Sequence, residues 1–120
     1  MSEGKSILKD KSFLFALKII KLYKYLCENK KEFVMSKQLL RSGTSVGANI
    51  REAQNAQSRA DFIHKLSISQ KETDEVLYWL ELLHQSEYLS DDEFNAAYFE
   101  ANELLKMLRS AIITTKNKNL

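Results

Sequence analysis

From Phe13 to Asn29, apolar side chains recur at intervals of three and four: Phe13, Ala16, Leu17, Ile20, Tyr23 and Cys27 fall on one stripe. That interval is the α-helical period, which predicts a first helix over this stretch with the stripe turned towards a core. Leu14, Phe15, Leu22 and Tyr25 lie off the stripe, so the helix is apolar around most of its circumference. A helix of that kind is buried on more than one side. The four off-stripe residues are therefore expected at an interface between copies of the chain.

A polar connection at 29–32 follows, and the second helix is expected to open near Ser36, whose hydroxyl is placed to cap it. Leu39, Gly43, Val46, Ile50 and Ala53 share its inner face, while Arg41, Thr44, Ala48, Arg51 and Asn55 point the other way. Ser58 with Asp61 is a weaker form of the capping box and opens the longest helix. There Phe62, Leu66, Ser69, Thr73, Val76, Leu80 and Leu83 advance by steps of four and three, a heptad seam. Its two small polar members, Ser69 and Thr73, mark either close helix crossings or bonds to a preceding carbonyl. Ser90-Asp-Asp-Glu93 is a full capping box that also sets carboxylates at the positive end of a helix dipole. The seam of this last helix is Phe94, Ala97, Ala101, Leu104, Leu108, Ala111 and Thr115. Short connections make consecutive helices antiparallel neighbours. The expected fold is all-α, an antiparallel up-down-up-down four-helix bundle forming one domain over 1–120, with frayed ends at about 1–10 and 116–120.

Composition agrees with this. The 120 residues include no proline and three glycines, which suits helices and short turns better than a β fold. Cys27 is the single cysteine, so no intrachain disulfide forms. Lys9, Asp10 and Lys11 interrupt any apolar leader, and the longest apolar run, Phe13 to Leu17, is far short of a membrane span. A cytoplasmic protein without membrane contact is expected.

Two of the three glycines, Gly43 and Gly47, sit four apart inside the second helix, where each costs about 1 kcal/mol relative to alanine. With Ser42, Ser45 and Ala48 beside them they predict a surface shaved flat for a neighbouring helix. The spacing does not fit a phosphate loop. Arg41, Asn49 and Arg51 would be costly in lipid, so close packing in water is the reading.

Charge is divided along the chain: 12 basic against 5 acidic residues up to residue 60, 2 against 11 from 61 to 105, and 4 against none thereafter. Either helix faces of opposite sign complement each other in the bundle, or the cations form a polyanion-binding surface. Lys11, Lys18 and Lys21 share an arc of helix one, Arg41 and Arg51 point outward from helix two, and Lys106, Arg109 and Lys116 recur near the C-terminus. These eight are the nucleic-acid-binding candidates.

Catalytic chemistry finds little support. Glu81-Leu-Leu-His84 has the spacing of a di-iron half-site, but such sites need a second copy and two further inward glutamates. His64 lies outside the core stripe, Cys27 falls within it, and no serine is matched with a histidine and an acid. Trp79 and Tyr78 read as packing anchors before base-stacking platforms. No cofactor and no metal are expected, and the chain reads as non-enzymatic.

Three segments carry a family resemblance: Gln38-Leu-Leu-Arg-Ser-Gly-Thr-Ser-Val-Gly-Ala-Asn-Ile-Arg-Glu-Ala, Asp61-Phe-Ile-His-Lys-Leu-Ser-Ile-Ser-Gln-Lys-Glu, and Glu75-Val-Leu-Tyr-Trp-Leu. Together they resemble the bacterial four-helix-bundle proteins encoded within intervening sequences of 23S rRNA genes, over roughly residues 12 to 115. Many relatives carry a proline where Gly47 stands here, which leaves a kink in helix two open. The resemblance implies a ring, a homopentamer, with no enzymatic activity attributed to it. A similar protein, the accessory factor of diversity-generating retroelements, engages nucleic acid and a reverse transcriptase. The resulting expectation is a homo-oligomeric binding module for RNA or DNA, the alternative being a protein-interaction scaffold that binds no nucleic acid.

Overall fold

Each amphipathic stretch forms one helix. The computed structural model describes residues 3–118, with side chains from Ile7 onward. It consists of α1 (Glu3–Glu28), α2 (Met35–Gln54), α3 (Arg59–Gln85) and α4 (Asp91–Asn117). Contacts run α1 to α2, α2 to α3, α3 to α4 and α4 back to α1, so the helices form a closed up-down-up-down square of 50 × 21 × 20 Å. α2 is α-helical throughout, Gly47 included.

Helix one departs from the sequence expectation in extent and in rotation. It begins at Glu3 rather than near Phe13, and its buried stripe is Leu8, Ser12, Phe15, Ile19 and Leu26, with Leu22 packed against it. Phe15, expected at an oligomer interface, is 2% exposed and lies in the core, whereas Phe13 and Leu17, expected in the core, are 52% and 45% exposed. Leu22 and Tyr25, also expected at an interface, pack against this chain's own core. The cause is the all-round apolarity of α1: the period identifies a helix, but two stripes compete for the interior. The true stripe advances by alternating four and three back to Leu8, and Ser12 and Ile19 are the residues that meet the α2 glycines.

Helices two to four bury the seams read from sequence, with Leu39, Val46, Ile50, Leu66, Val76, Leu80, Leu83, Ala101, Leu104 and Leu108 all in the core. Leu77, Leu105 and Ile112 are buried in addition. The polar breaks in α3 serve both roles that were open. Ser69 Oγ crosses to α2, donating to the Val46 carbonyl at 2.8 Å, and Thr73 Oγ1 donates to Ser69 O at 2.8 Å. Because each hydroxyl has a carbonyl acceptor, neither is an unpaired buried polar group.

The α1–α2 turn is built around a residue that sequence reasoning passed over. Ser36 is not the cap; it lies inside α2, and its Oγ donates to the Glu32 carbonyl at 2.7 Å. The Glu32 carboxylate, itself buried, accepts the backbone N–H groups of Val34, Met35 and Ser36 at 3.1, 3.0 and 2.7 Å. One anion thus satisfies three orphan donors at the positive end of the helix. The other starts are as read: Ser58 Oγ accepts from Asp61 N, and Ser90 and Glu93 close a reciprocal capping box. At the end of α3, Glu87 adopts φ 70, and Tyr88 N–H reaches back to Leu83 O at 2.8 Å. That is a Schellman closure with glutamate where glycine is usual.

Candidate functional site

Close approach between α1 and α2 is set by the two glycines. A Cβ on Gly43 would lie 2.8 Å from Ile19 Cγ2 and 2.9 Å from its Cγ1, and one on Gly47 would lie 3.3 Å from Ser12 Oγ and 3.4 Å from its backbone oxygen. Gly43 therefore houses a β-branched side chain, while Gly47 lets one backbone approach another.

Rotation of α1 leaves an apolar side facing outward. Leu14, 58% exposed, and Leu17 stand on its α4 side together with Ile20. They line a groove of about 550 Å3 between α1 and α4, floored by Phe15 and Leu104 and rimmed by lysines. Phe13, one turn before Leu17 on the same outward stripe, lines a neighbouring groove towards α2 with Lys9 and Arg51. Of the four residues expected at an interface, Leu14 is the one that remains on the surface.

The eight candidate cations separate into two groups. Lys11 pairs with Glu103 at 3.2 Å and Lys18 with Glu100 at 2.5 Å, so both bridge the α1–α4 groove. Arg41 is held by Glu72, at 3.3 Å, and by Glu75 of α3. Glu75 also accepts from the Trp79 indole at 3.0 Å. Those two bonds, the indole's first, hold its carboxyl below the ordinary range, and Glu75 in turn raises the Arg41 guanidinium. The remaining five, Lys21, Arg51, Lys106, Arg109 and Lys116, are exposed, with no ion-pair partner among the described residues. The acidic segment 61–105 thus serves in part to neutralise α1 and α2, the first of the two readings of the charge division.

Sequence reasoning also missed Lys9, Arg59 and Lys118. They are distant in sequence, but the topology places all three at the end of the bundle where α1 starts, α2 turns into α3 and α4 finishes. The basic flanks of the chain were the available signal.

Residues with catalytic associations have other partners. Glu81 accepts from the Tyr98 hydroxyl at 2.7 Å and raises its pKa. His84 Nε2 lies 2.7 Å from Asp91 Oδ1, and its ring stacks on Phe94 with centroids 4.2 Å apart. No group of three or more histidine, cysteine or acidic side chains among the described residues is placed to hold a metal ion. Cys27 is half-buried, its Sγ 3.8 Å from Ser36 Oγ, and its interaction raises the Tyr23 hydroxyl. Trp79 packs against the core and meets Tyr78 edge-on at 5.1 Å. No helix among the described residues is long and apolar enough to cross a membrane.

These features define an up-and-down four-helix bundle whose interior is hydrocarbon apart from a few hydroxyls bonded to helix carbonyls, and whose charged chemistry lies on helix faces and caps. The family model of the 23S rRNA-intervening sequence protein matches residues 5–110, and the chain belongs to that family. It is also similar to a crystal structure of a protein with unknown function from the S23 ribosomal protein family of Bacteroides thetaiotaomicron. The two share 54% identity at a TM-score of 0.91, over 92% of this chain and 99% of that one. No curated protein matches the chain.

Proposed function

We propose that this protein is a non-enzymatic bundle that assembles with copies of itself, as a homopentamer, and binds nucleic acid, RNA foremost. The observation that carries the reading is the outward side of α1, where Leu14 and Leu17 are exposed beside a lysine-rimmed groove. Apolar exposure of that kind marks an interaction surface, and repetition of the chain's cations around a ring would multiply each modest patch into a polyanion-binding field. The family's description, which names the 23S rRNA intervening sequence, supports RNA as the ligand class.

The test joins mass to binding. Light scattering on the eluting protein is expected to give several multiples of 13.9 kDa, and Leu14→Glu with Leu17→Glu to reduce the mass to one. Anisotropy of labelled RNA at about 50 mM salt is expected to rise with wild-type protein and to fall as salt is added. A monomeric wild type, or an RNA signal indifferent to protein, refutes the corresponding half of the reading. A second reading, a protein-interaction scaffold, is favoured by one observation: Lys11, Lys18 and Arg41 are tied to carboxylates of the same chain. Assembly without RNA binding would establish it.

A further inference from the structure

On the reading that the protein binds nucleic acid, we infer that its contact surface is one pole of the bundle, around the α2–α3 turn, and that the ligand there is single-stranded RNA with a base stacked on Phe13. Two pairs of cations flank that pole. Lys9 and Arg51 line one groove with Phe13 between α1 and α2, and Arg59 and Lys118 line another beneath the turn. All four are exposed and without an ion-pair partner among the described residues. The neighbouring carboxylates are in part occupied: Glu52 holds Lys65 at 2.9 Å, and Asp61 accepts from Gln57 N–H at 3.3 Å. Asp10 remains on the rim of the Lys9 and Arg51 patch. The pole is therefore a site of surplus positive charge, whereas in the α1–α4 groove two of the four lysines, Lys11 and Lys18, are already paired.

Phe13 turns this charge into a preference for single strands. Its ring is half-exposed and contributes nothing to the core, and the Arg51 guanidinium lies 5.9 Å from its centroid. An aromatic ring beside a guanidinium is a surface on which an unpaired base stacks, while the cations on either side hold the adjoining phosphates. Bases in a duplex are already stacked on each other and offer no free face. Phe13, half-exposed between Lys9 and Arg51, is thus the stacking platform of the site.

The test is anisotropy with a labelled oligouridine of about 12 nucleotides, read across a salt series. Wild type is compared with Lys9→Gln plus Arg51→Gln, with Arg59→Gln plus Lys118→Gln, and with Phe13→Ala. Lys30→Gln plus Lys37→Gln, exposed at the opposite end of the bundle where α1 turns into α2, is the control. Each polar-end pair is expected to weaken binding about tenfold or more and to lower the salt slope by about 0.7 for each phosphate no longer neutralised. Phe13→Ala is expected to weaken binding roughly fivefold or more with an unchanged slope, and only on the single strand, since stacking is uncharged. The control should stay near wild type, and circular dichroism should show all variants equally helical. Equal losses in control and polar-end pairs, or an unaffected Phe13→Ala, overturn this site while leaving RNA binding intact. Wild-type protein that binds no RNA overturns the functional reading and this inference together.

Discussion

Replacing Gly43 with alanine separates packing from helix propensity, because the two act in opposite directions and both follow from the structure. The added Cβ would sit 2.8 and 2.9 Å from the two γ carbons of Ile19, whereas carbons in good contact stand about 3.5–4.0 Å apart. Ile19 is 1% exposed and β-branched, so it has little rotameric freedom with which to yield. Overpacking of this kind costs about 1–3 kcal/mol, and the better propensity of alanine returns about 1 kcal/mol. The net expectation is a loss of about 1 kcal/mol. Ile19→Ala, itself costing about 2–5 kcal/mol, removes the obstructing γ carbons. In that background Gly43→Ala should stabilise by about 1 kcal/mol, a reversal of sign and a coupling within the range of about 0.5–3 kcal/mol seen for residues in contact. Urea denaturation followed by circular dichroism measures all four corners of the cycle, at one fixed protein concentration because the stability of a self-associating chain depends on concentration. Equal stabilisation by Gly43→Ala in both backgrounds would show that the glycine is not shaped by Ile19, and the reasoning would fail. The corresponding change at Gly47 is milder, since 3.3 Å to a rotatable hydroxyl leaves room to adjust.

Glu32→Ala leaves three backbone donors without an acceptor at the start of α2 and is expected to cost about 2 kcal/mol, the upper end for a lost cap; a urea midpoint equal to wild type would dismiss the cap. Ser58→Ala removes one such bond and should cost about 1 kcal/mol in the same assay. Glu75 makes stability depend on pH. Its folded pKa is depressed, so its contribution is fully present above its ordinary value of 4.5 and is lost as pH falls through the folded value. Acid titration of Trp79 fluorescence should therefore report a transition below that ordinary value, absent in Glu75→Gln; an unchanged titration in the variant would assign the transition elsewhere.

Much of the fold was legible because three of the four helices carry a single apolar stripe and two of them, α3 and α4, a recognisable start. The seams through Val46, Val76 and Leu104 admit one orientation each, and the Ser58 and Ser90 caps fix where α3 and α4 begin. Helix one resisted because Phe13 and Phe15, or Leu17 and Ile19, are chemically interchangeable for a period search; only the partner helix, with its notch at Gly43, selects Ile19. Glu32 was hidden for a different reason. It caps from two residues before the N-cap position, outside the pattern that serine and aspartate caps follow. The surface was the least legible, since whether Lys18 is a free cation depends on Glu100, 82 residues away, and whether Lys9 and Lys118 share a pole depends on the topology.

Light scattering with absorbance detection on the protein mixed with single-stranded RNA, run at about 50 mM salt, bears on the central claim most directly. The account predicts one species whose protein mass is several times 13.9 kDa and which carries RNA. Protein eluting at the mass of one chain, with the RNA separate, would contradict it.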